Sequence, residues 1–355
     1  MRFIHMADMH FDAPFARLSS KGKLGDKRRL EQRAAFSKMI EYIKKEEISF
    51  LFISGDLYEH EYVRKSTIEF INSLFKTIPN TKIFISPGNH DPFLTDSPYN
   101  TCTWSENVYI FNHSVSIHEF EDVDIYGFGF ADFYCDDFEI ENIEIKHPEK
   151  INILIIHADL DASTKSEKPY NPISTSSLIR SGFDYFALGH IHKREHDKTD
   201  NIIYPGSSIS LGFDELGDHG ILDIELTKKE AKIDFIKLDS MNFAEAELDI
   251  SDIRAFEELI EKINALEIEE NKLYKIILIG NKNIEININK IINLILKENI
   301  IKIKDNSKIN KDIYELKKEN NLKGLFISEL FNKFEEGKIT EEEFQKALEI
   351  GVEVI

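Results

Sequence analysis

Residues that can bind metal ions follow five apolar segments of this sequence. In the stretch "FALGHIHKRE", an apolar run and Gly189 are followed by His190 and His192. The other four segments are followed by Asp8-x-His10, by Gly55-Asp56, by Gly88-Asn89-His90 and by a lone His157. One such residue after a strand is usually a turn or cap residue, but five such endings indicate a shared site.

The residue types indicate divalent cations. Carboxylate, amide and imidazole groups are hard or borderline ligands suited to Mn, Fe or Zn, and no cysteine is among them. In Asp8-x-His10 and His190-x-His192 the paired residues are two positions apart. In extended backbone, both members of a pair would point to the same face of the strand. We therefore interpret His190 and His192 as metal ligands.

The elements that must position these side chains alternate along the first 240 residues. Apolar β-rich runs predict strands at residues 2–6, 50–54, 82–85, 108–111, 124–128, 151–156, 185–188, 202–204, 220–225 and 232–237. Polar amphipathic segments predict helices at residues 27–45, 66–76 and 174–180. This order predicts a layered α/β domain with helices flanking sheets. In such sheets, sites form at the carboxyl ends of strands, so the candidate ligands would converge.

The pattern changes near residue 240. The following residues predict a smaller α/β unit, with helices at 253–266 and 289–298 and strands at 274–279 and 300–304. After residue 320, large apolar side chains recur at helical spacing, Gly337 interrupts them, and Thr340 with Glu343 forms a capping box. We predict a domain over 1–240, an α/β capping domain over 241–319 and a C-terminal helical segment over 320–355.

Charge and composition restrict the function. A formal net charge of −20 argues against phosphate binding unless positive charge is concentrated locally. Basic residues do cluster between positions 17 and 33 and between 271 and 311, and either cluster could contact a polyanion. A solvated helix or loop face is the favoured interpretation of each cluster. Arg17 is the predicted substrate contact. The two cysteines form no CxxC pair, and the sequence shows neither a signal peptide nor a long uncharged apolar stretch. A cytoplasmic location with no membrane contact is expected.

The order of the motifs resembles that of a known family. The series DMH, GD, GNHD, a lone histidine after an apolar strand, and GHIH is similar to the calcineurin-like metallophosphoesterases over about residues 1–240. The closer resemblance is to the SbcD nuclease subunits, relatives of the Mre-eleven nuclease, and to YhaO-type exonucleases. It is carried by "RFIHMADMHFDAPF", "FISGDLYE", "ISPGNHDPF", "ALGHIHKRE" and "YPGSSISLGFDELGDHG". The implied fold is a layered metallophosphoesterase β-sandwich flanked by helices, plus a smaller α/β capping domain and C-terminal helices.

The resemblance also implies roles for the motif residues. One divalent ion would be held by Asp8, His10, Asp56 and His192, and the other by Asp56, Asn89, His157 and His190, with Asp56 bridging. Mn is favoured, with Fe or Zn as alternatives. Two such ions bind a phosphodiester and activate a hydroxide for in-line attack. His90 would be the catalytic residue that is not a ligand, steadying the scissile phosphate or protonating the leaving oxygen.

One position departs from the family pattern. Many related nucleases have a histidine three residues after the aspartate of the GD motif, and that histidine is associated with exonuclease action. This sequence has Glu59 there. We predict that Glu59 lies near the substrate and that digestion of blunt duplex ends is weak or absent. Nearby aromatic residues Phe11, Phe15 and Tyr58 could stack on a base, but core packing is the favoured interpretation.

The resemblance predicts a metal-dependent phosphodiesterase acting on DNA, as the exo- or endonuclease subunit of an SbcD-like system. An alternative on the same fold is a phosphodiesterase for a small nucleotide or lipid head group, which the net acidity favours. An alternative of another class is a docking subunit for an SMC-like ATPase.

Partners are expected from the resemblance alone. SbcD-type nucleases use C-terminal helices to grip an SbcC-like ATPase, so we expect residues 320–355 to dock there. The competing interpretation is that these helices pack back on residues 244–310. A homodimer is also expected by resemblance.

Overall fold

The computed structural model describes residues 1–15, 24–136, 138–162, 170–197, 201–228, 230–309, 317–318 and 320–354. The chain divides into two compact units, Met1–Phe243 and Ala244–Ile355. Each unit has its own sheets and its own apolar core. The predicted mixed α/β architecture is confirmed, while the predicted division into three parts stays a prediction.

Strands dominate the described part of the first unit. In chain order they are β1 (Arg2–Met6), β2 (Phe50–Ile53), β3 (Lys82–Ile85), β4 (Val108–Ile110), β5 (Ser116–Glu119), β6 (Val123–Phe128), β7 (Ile151–His157), β8 (Asp159–Leu160), β9 (Pro172–Ile173), β10 (Tyr185–Gly189), β11 (Glu195–Asp197), β12 (Ile202–Tyr204), β13 (Gly220–Leu226) and β14 (Ala231–Lys237). The helices are α1 (Leu24–Lys45), α2 (Lys65–Phe75), α3 (Pro98–Thr101) and α4 (Thr175–Ser181), with a 3-10 turn at Ile140–Asn142.

These strands form two six-stranded sheets and one short pair. The first sheet has the order β14-β13-β1-β2-β3-β4, and the second has the order β11-β12-β10-β7-β6-β5. Strands β1 to β4 are parallel, as are β6, β7, β10 and β12. Strands β8 and β9 pair separately. The parallel centres explain the sequence pattern, because strands buried on both faces read as continuous apolar runs.

One apolar core lies between the two sheets. Phe3, Phe52 and Phe84 of the first sheet belong to the same cluster as Ile153 and Ile155 of the second. The alternate residues of these strands point outward. Those of the first sheet pack with α1 and α2, and those of the second sheet pack with α4.

Helix α1 also holds the loop that follows β1. The Gln32 amide donates to the backbone oxygens of Met9 at 3.0 Å and His10 at 2.8 Å. Arg28, from the basic cluster, is fully buried, pairs with Glu31 and donates to the backbone oxygen of Met241. The buried guanidinium therefore serves the fold and does not face solvent.

A polar link joins the two sheets near their carboxyl ends. The Ser54 hydroxyl donates to the Ala187 carbonyl at 2.9 Å and lies 3.1 Å from His5 Nε2. His5 Nδ1 lies 3.0 Å from the Tyr185 hydroxyl. Burial lowers the pKa of His5 to about 3, so this imidazole is neutral and links the sheets by hydrogen bonds alone.

The second unit is a smaller α/β assembly. Its strands are β15 (Asn242–Asp249), β16 (Lys272–Ile279), β17 (Asn281–Lys282), β18 (Ile300–Asp305) and β19 (Lys308–Ile309), and its first helices are α5 (Phe256–Ala265) and α6 (Ile288–Leu294). Strands β15, β16 and β18 form one sheet in that order, and β17 pairs with β19. Leu259 of α5 and Ile291 of α6 pack with Ile276 and Ile303 of the sheet.

Two further helices end the chain, α7 (Leu322–Glu335) and α8 (Glu341–Val354). Ile327, Leu330 and Phe331 of α7 pack with Phe344 of α8. The capping box predicted at the start of α8 is present, since the Thr340 and Glu343 side chains bond each other's backbone N–H groups. Among the residues described, no helix is both long and apolar enough to cross a membrane.

A matched pair of glycine substitutions tests the close approach of the two sheets. A Cβ on Gly189 would lie 1.7 Å from the Ser54 carbonyl oxygen, whereas a Cβ on Gly212 would meet nothing within 4 Å. Because backbone must move to relieve such a clash, we expect Gly189→Ala to lower the free energy of unfolding by about 1–3 kcal/mol. Urea unfolding measures both variants, with Gly212→Ala expected near wild type. Equal stability of the two variants would contradict this contact.

Candidate metal centre

The candidate ligands converge where the parallel strands of both sheets end. Asp8 follows β1, Asp56 follows β2, His157 is the last residue of β7, and His190 follows β10 directly. The loops after β1 and β2 are tied together by backbone bonds, from Asp8 N–H to the Gly55 oxygen at 3.1 Å and from His10 N–H to the Asp56 oxygen at 2.9 Å. The candidate ligands therefore lie close together, as the sequence led us to expect.

The route to convergence differs from the expected one. The spacing argument assumed extended backbone at both paired motifs, but β1 ends at Met6 and β10 ends at Gly189. Asp8, His10, Asp56 and His190 have φ values of 51°, 48°, 52° and 108°. Positive φ in residues other than glycine costs of order 1–3 kcal/mol each and is characteristic of functional sites. Left-handed turns therefore aim these side chains inward, and the extended-strand geometry was wrong.

In the part of the chain that the structure describes, three groups of donor atoms are close enough to hold a metal ion. Within each group, one ligand atom per residue lies within 4.8 Å of the others: Asp8 with His10 and His192, His10 with Asp56 and His90, and Asp8 with Asp56 and His157. The shared members make these groups one continuous cluster. Asp8, His10, Asp56 and His157 are at most 2% exposed.

Hydrogen bonds fix the orientation of two of these imidazoles. His10 Nδ1 lies 2.8 Å from Glu59 Oε1, and His192 Nδ1 lies 2.6 Å from Glu215 Oε1. Each Nδ1–H therefore donates to a carboxylate, which leaves Nε2 to bind a proton or a metal ion. The two Nε2 atoms face each other at 3.1 Å. Two ring nitrogens at this distance need a proton or a cation between them, so this arrangement also fits a metal ion.

A second set of donors meets at Asp56. His157 Nδ1 donates to the Ser54 carbonyl at 2.8 Å, so its Nε2 points to Asn89 Oδ1 at 3.1 Å. Asp56 Oδ2 lies 3.4 Å from His157 Nε2 and 3.6 Å from His10 Nε2. One carboxylate oxygen is thus within reach of both imidazoles, the position that a bridging ligand requires.

The electrostatics of the cluster favour positive charge. Burial alone would lower the pKa of His157, but the charges of Asp56 and Asp8 raise it to about 9. For His192, the same burial is outweighed by its bond to Glu215 and the charge of Asp8, and its pKa is also about 9. A buried site that holds protons this tightly also suits a divalent cation, which supplies the positive charge instead.

His190 is placed differently from the other candidate ligands. Its backbone N–H donates to Asp8 Oδ1 at 3.2 Å, and its ring lies between those of His157 and Tyr170, with centroids at 5.2 and 5.0 Å. Burial and the charge of His157 lower its pKa to about 3, so the imidazole is neutral. A neutral imidazole beside His157 keeps a lone pair available for a cation.

Glu59 connects a candidate ligand to His90. Its Oε1 lies 2.8 Å from His10 Nδ1, and its Oε2 lies 2.8 Å from His90 Nδ1. Burial alone would raise the pKa of Glu59, but these two bonds lower it to about 2. Burial would lower the pKa of His90, but the bond that its Nδ1–H donates to Glu59 and the charge of Asp56 raise it to about 9. Both carboxylate oxygens of Glu59 thus have imidazole partners. The contact between Glu59 and substrate stays a prediction.

Asp91 supports the cluster through the backbone. Its carboxylate accepts N–H bonds from Asp56 at 3.0 Å, Leu57 at 2.7 Å and Gly88 at 2.7 Å. Burial and the charge of Asp56 raise the pKa of Asp91 to about 7. These bonds tie the loop after β2 to the loop after β3, which delivers Asn89 and His90.

Sequence reasoning missed Glu215. Besides holding His192, its carboxylate accepts bonds from the Ser207 hydroxyl at 2.7 Å and the Leu211 N–H at 3.0 Å. Glu215 lies 23 residues beyond His192 in a loop without periodicity, so spacing could not connect the two. The available signal was its presence in the stretch "YPGSSISLGFDELGDHG" that resembles the family.

A cavity of about 480 Å³ opens beside the cluster. It is lined by Glu59, His60, Glu61, Tyr62, Asn89, His90, Phe133, Tyr134 and Tyr170. The aromatic residues that the sequence suggested for base stacking do not line this cavity. Phe11, Phe15 and Tyr58 are at most 8% exposed, in line with the favoured interpretation that they pack in the core. Arg17, the other predicted substrate contact, lies outside the described residues.

Comparison with known proteins places the chain in a family. Residues 1–194 match the family model described as calcineurin-like phosphoesterase. The chain therefore belongs to the calcineurin-like phosphoesterase family, whose members are metal-dependent hydrolases. Among curated proteins it is similar to an uncharacterized metallophosphoesterase, YhaO, of Bacillus subtilis, at 26% identity over 274 residues. That match covers 74% of this chain and 66% of the relative, slightly under two thirds of the relative's length.

Two solved structures are also similar. One is GAP50, the anchor in the inner membrane complex of Plasmodium, at 13% identity and a TM-score of 0.41, covering 67% of this chain and 84% of that one. The other is the protein TT1561 of Thermus thermophilus, at 11% identity and a TM-score of 0.39, covering 66% of this chain and 98% of that one.

Replacing Glu215 tests its hold on His192. In Glu215→Gln, only one oxygen is left to accept these bonds. In one orientation the amide NH₂ group would face the Leu211 N–H. In the other orientation it would face His192 Nδ1 and reverse the tautomer of His192. Since loss of such a partner typically costs 10–100-fold, we expect divalent-metal affinity to fall by about that factor. Isothermal titration calorimetry with Mn measures it, and the exposed Glu225→Gln is the matched control. Unchanged affinity in a folded Glu215→Gln protein would remove Glu215 from the site.

Proposed function

We propose that this chain is a two-metal-dependent phosphodiesterase that acts on DNA. The observation that carries the proposal is the position of Asp56 Oδ2, within 3.6 Å of both His10 Nε2 and His157 Nε2. Membership of the calcineurin-like phosphoesterase family supports the class of reaction. The DNA substrate rests on the resemblance of the motifs to SbcD-type nucleases.

The proposed ligand sets follow the family resemblance, and the structure brings members of each set close together. Asp8, His10, Asp56 and His192 would hold one ion. Asp56, Asn89, His157 and His190 would hold the other, and we propose Mn for both positions. When bound, two such ions neutralise phosphate charge and make a water nucleophilic at neutral pH. The protein's own contribution is to fix the donors, which Glu59, Glu215 and the Ser54 carbonyl do by holding the three Nδ1 atoms.

His90 is proposed as the proton donor to the leaving oxygen. It is the most exposed imidazole of the cluster, with 44% of its side chain accessible, so a substrate can reach it. Its bond to Glu59 holds Nδ1 and so fixes the orientation of the ring. Its backbone N–H donates to Asp56 Oδ1 at 2.8 Å, which fixes its position relative to the ligands.

Two other substrate classes remain alternatives to DNA. A small nucleotide or a lipid head group would fit the 480 Å³ cavity, and the net charge of −20 disfavours a long polyanion. A panel of duplex DNA, single-stranded DNA, cyclic nucleotides and bis-p-nitrophenyl phosphate, each with Mn, separates these classes. Turnover of the model ester without any turnover of DNA would contradict the DNA assignment.

We also propose that residues 320–355 dock on an SbcC-like ATPase. Leu322 and Leu325 of α7 are each 69% exposed, which leaves apolar side chains for a partner. Ile327, Leu330 and Phe331 are occupied by packing within the helix pair, so they would support the docking surface and not contact the partner. The role of docking subunit, the homodimer and the cytoplasmic location stay predictions.

The bridging carboxylate gives the most direct test of the metal assignment. Asp56→Asn preserves shape and leaves an oxygen for the His90 N–H, but it removes an anionic charge shared by two cations. We expect phosphodiesterase activity on bis-p-nitrophenyl phosphate to fall at least about 100-fold, together with bound Mn. The exposed Asp122→Asn is the control. Near-wild-type turnover with full metal content in Asp56→Asn would refute the two-metal assignment.

His90 is tested by separating metal binding from turnover. If His90 only assists the leaving group, His90→Ala should keep both ions and lose about 10²–10⁴-fold in turnover. Elemental analysis of the purified protein measures the metal, and the exposed His113→Ala is the control. Loss of an ion in His90→Ala would instead make His90 a ligand, as its closeness to His10 and Asp56 allows.

A further inference from the structure

The cavity beside the cluster has a lining that the reaction itself does not require. Asn89 and His90, which the proposed reaction uses, form one side of it, so the cavity begins where the scissile phosphate would lie. Aromatic side chains form much of the rest, namely Tyr62, Phe133, Tyr134 and Tyr170. A phosphodiester needs no aromatic partner, so these rings indicate a second recognition element.

The rings of the cavity pack against their neighbours at tilted angles. Tyr170 and Tyr134 have centroids 5.9 Å apart and planes inclined by 39°, and Tyr170 is inclined by 38° to His190. Tyr134 is 44% exposed, so part of its ring is open to a ligand in the cavity. An exposed aromatic surface beside the phosphate site can stack on an aromatic ring of the substrate.

The backbone that carries these rings is fixed. Cys135 and Tyr170 form a parallel bridge, and the Asn171 N–H donates to the Cys135 oxygen at 2.6 Å. The Asp159 N–H donates to the Tyr170 oxygen at 3.0 Å, which ties the segment to the end of β7. Aromatic groups on a preorganised support bind at a lower entropic cost than groups that must first be ordered.

Charge and size restrict the ligand further. Glu59 and Glu61 line the cavity, so it attracts no additional phosphate. A volume of about 480 Å³ is that of a site for one small molecule. A base can stack on protein rings only when it is unpaired or turned out of a duplex.

We propose that this cavity binds one unpaired nucleobase next to the scissile phosphate, so that the substrate is a single-stranded or extrahelical nucleotide. The inference rests on the proposed function and specifies its substrate class. Tyr134 and Phe133 supply the ring faces and edges for the base, and Asn89 and His90 hold the end of the nucleotide that carries the phosphate.

Esters with the same leaving group test the proposal on the full chain loaded with Mn. Thymidine 5′-p-nitrophenyl phosphate, methyl p-nitrophenyl phosphate and p-nitrophenyl phosphorylcholine differ only in the group that would occupy the cavity. We expect the thymidine ester to have the highest kcat/KM. In Tyr134→Leu, the ratio of kcat/KM for the thymidine and methyl esters should fall by about 5–150-fold, and Tyr134→Phe should restore it.

Three outcomes would overturn the proposal. They are an equal kcat/KM for the thymidine and methyl esters, a preference for the phosphorylcholine ester, and a Tyr134→Leu ratio equal to that of wild type. Hydrolysis of none of the esters would overturn the proposed function instead. In that case, calorimetry tests whether the cavity binds a base. Wild-type protein should bind thymidine 5′-monophosphate about 5–150-fold more tightly than deoxyribose 5-phosphate. Equal affinities would refute the base site.

Discussion

The candidate site depends on one close approach between the two sheets. The Ser54 carbonyl at the end of β2 accepts the Nδ1–H of His157 at the end of β7, and Gly189 at the end of β10 leaves room for the same oxygen. Because this contact joins the carboxyl ends of strands from both sheets, ligands from each sheet reach one cluster. Only glycine fits at position 189, and the His157 tautomer follows from the bond to Ser54.

The cluster is costly for the metal-free fold. Asp8 and Asp56 are buried carboxylates, and each of the four residues with positive φ adds local strain. The structure offsets this cost with hydrogen bonds, since Asp91 accepts three backbone N–H groups and the imidazoles face the carboxylates. A bound cation would add the missing positive charge, so metal binding and the stability of these loops are coupled.

The sequence predicted the buried parts of the molecule better than the open ones. Strands with both faces covered, such as β2 and β7, read as unbroken apolar runs and were placed to within about one residue. The edge strand β5 was missed because its four residues, SIHE, are partly exposed and carry no apolar pattern. The family motifs identified residues that converge, but not the left-handed turns at Asp8 and His10 that aim them. Glu215 and Tyr134 lie in loops, where no periodicity links them to the motifs.

With a net charge of −20, the proposed action on phosphodiesters requires that the protein recognise its substrate at short range. At long range, the net negative charge would repel a polyanion. The lysines and arginines of the sequence do not all face solvent, since Arg28 is fully buried. The remaining sources of affinity are the two proposed ions, which act over a few ångströms, and the rings of the adjacent cavity. Stacking is independent of phosphate charge and tolerates any base. A net acidic protein with an aromatic cavity beside the proposed metal centre would therefore suit short, unpaired nucleotides better than a long duplex held by its backbone.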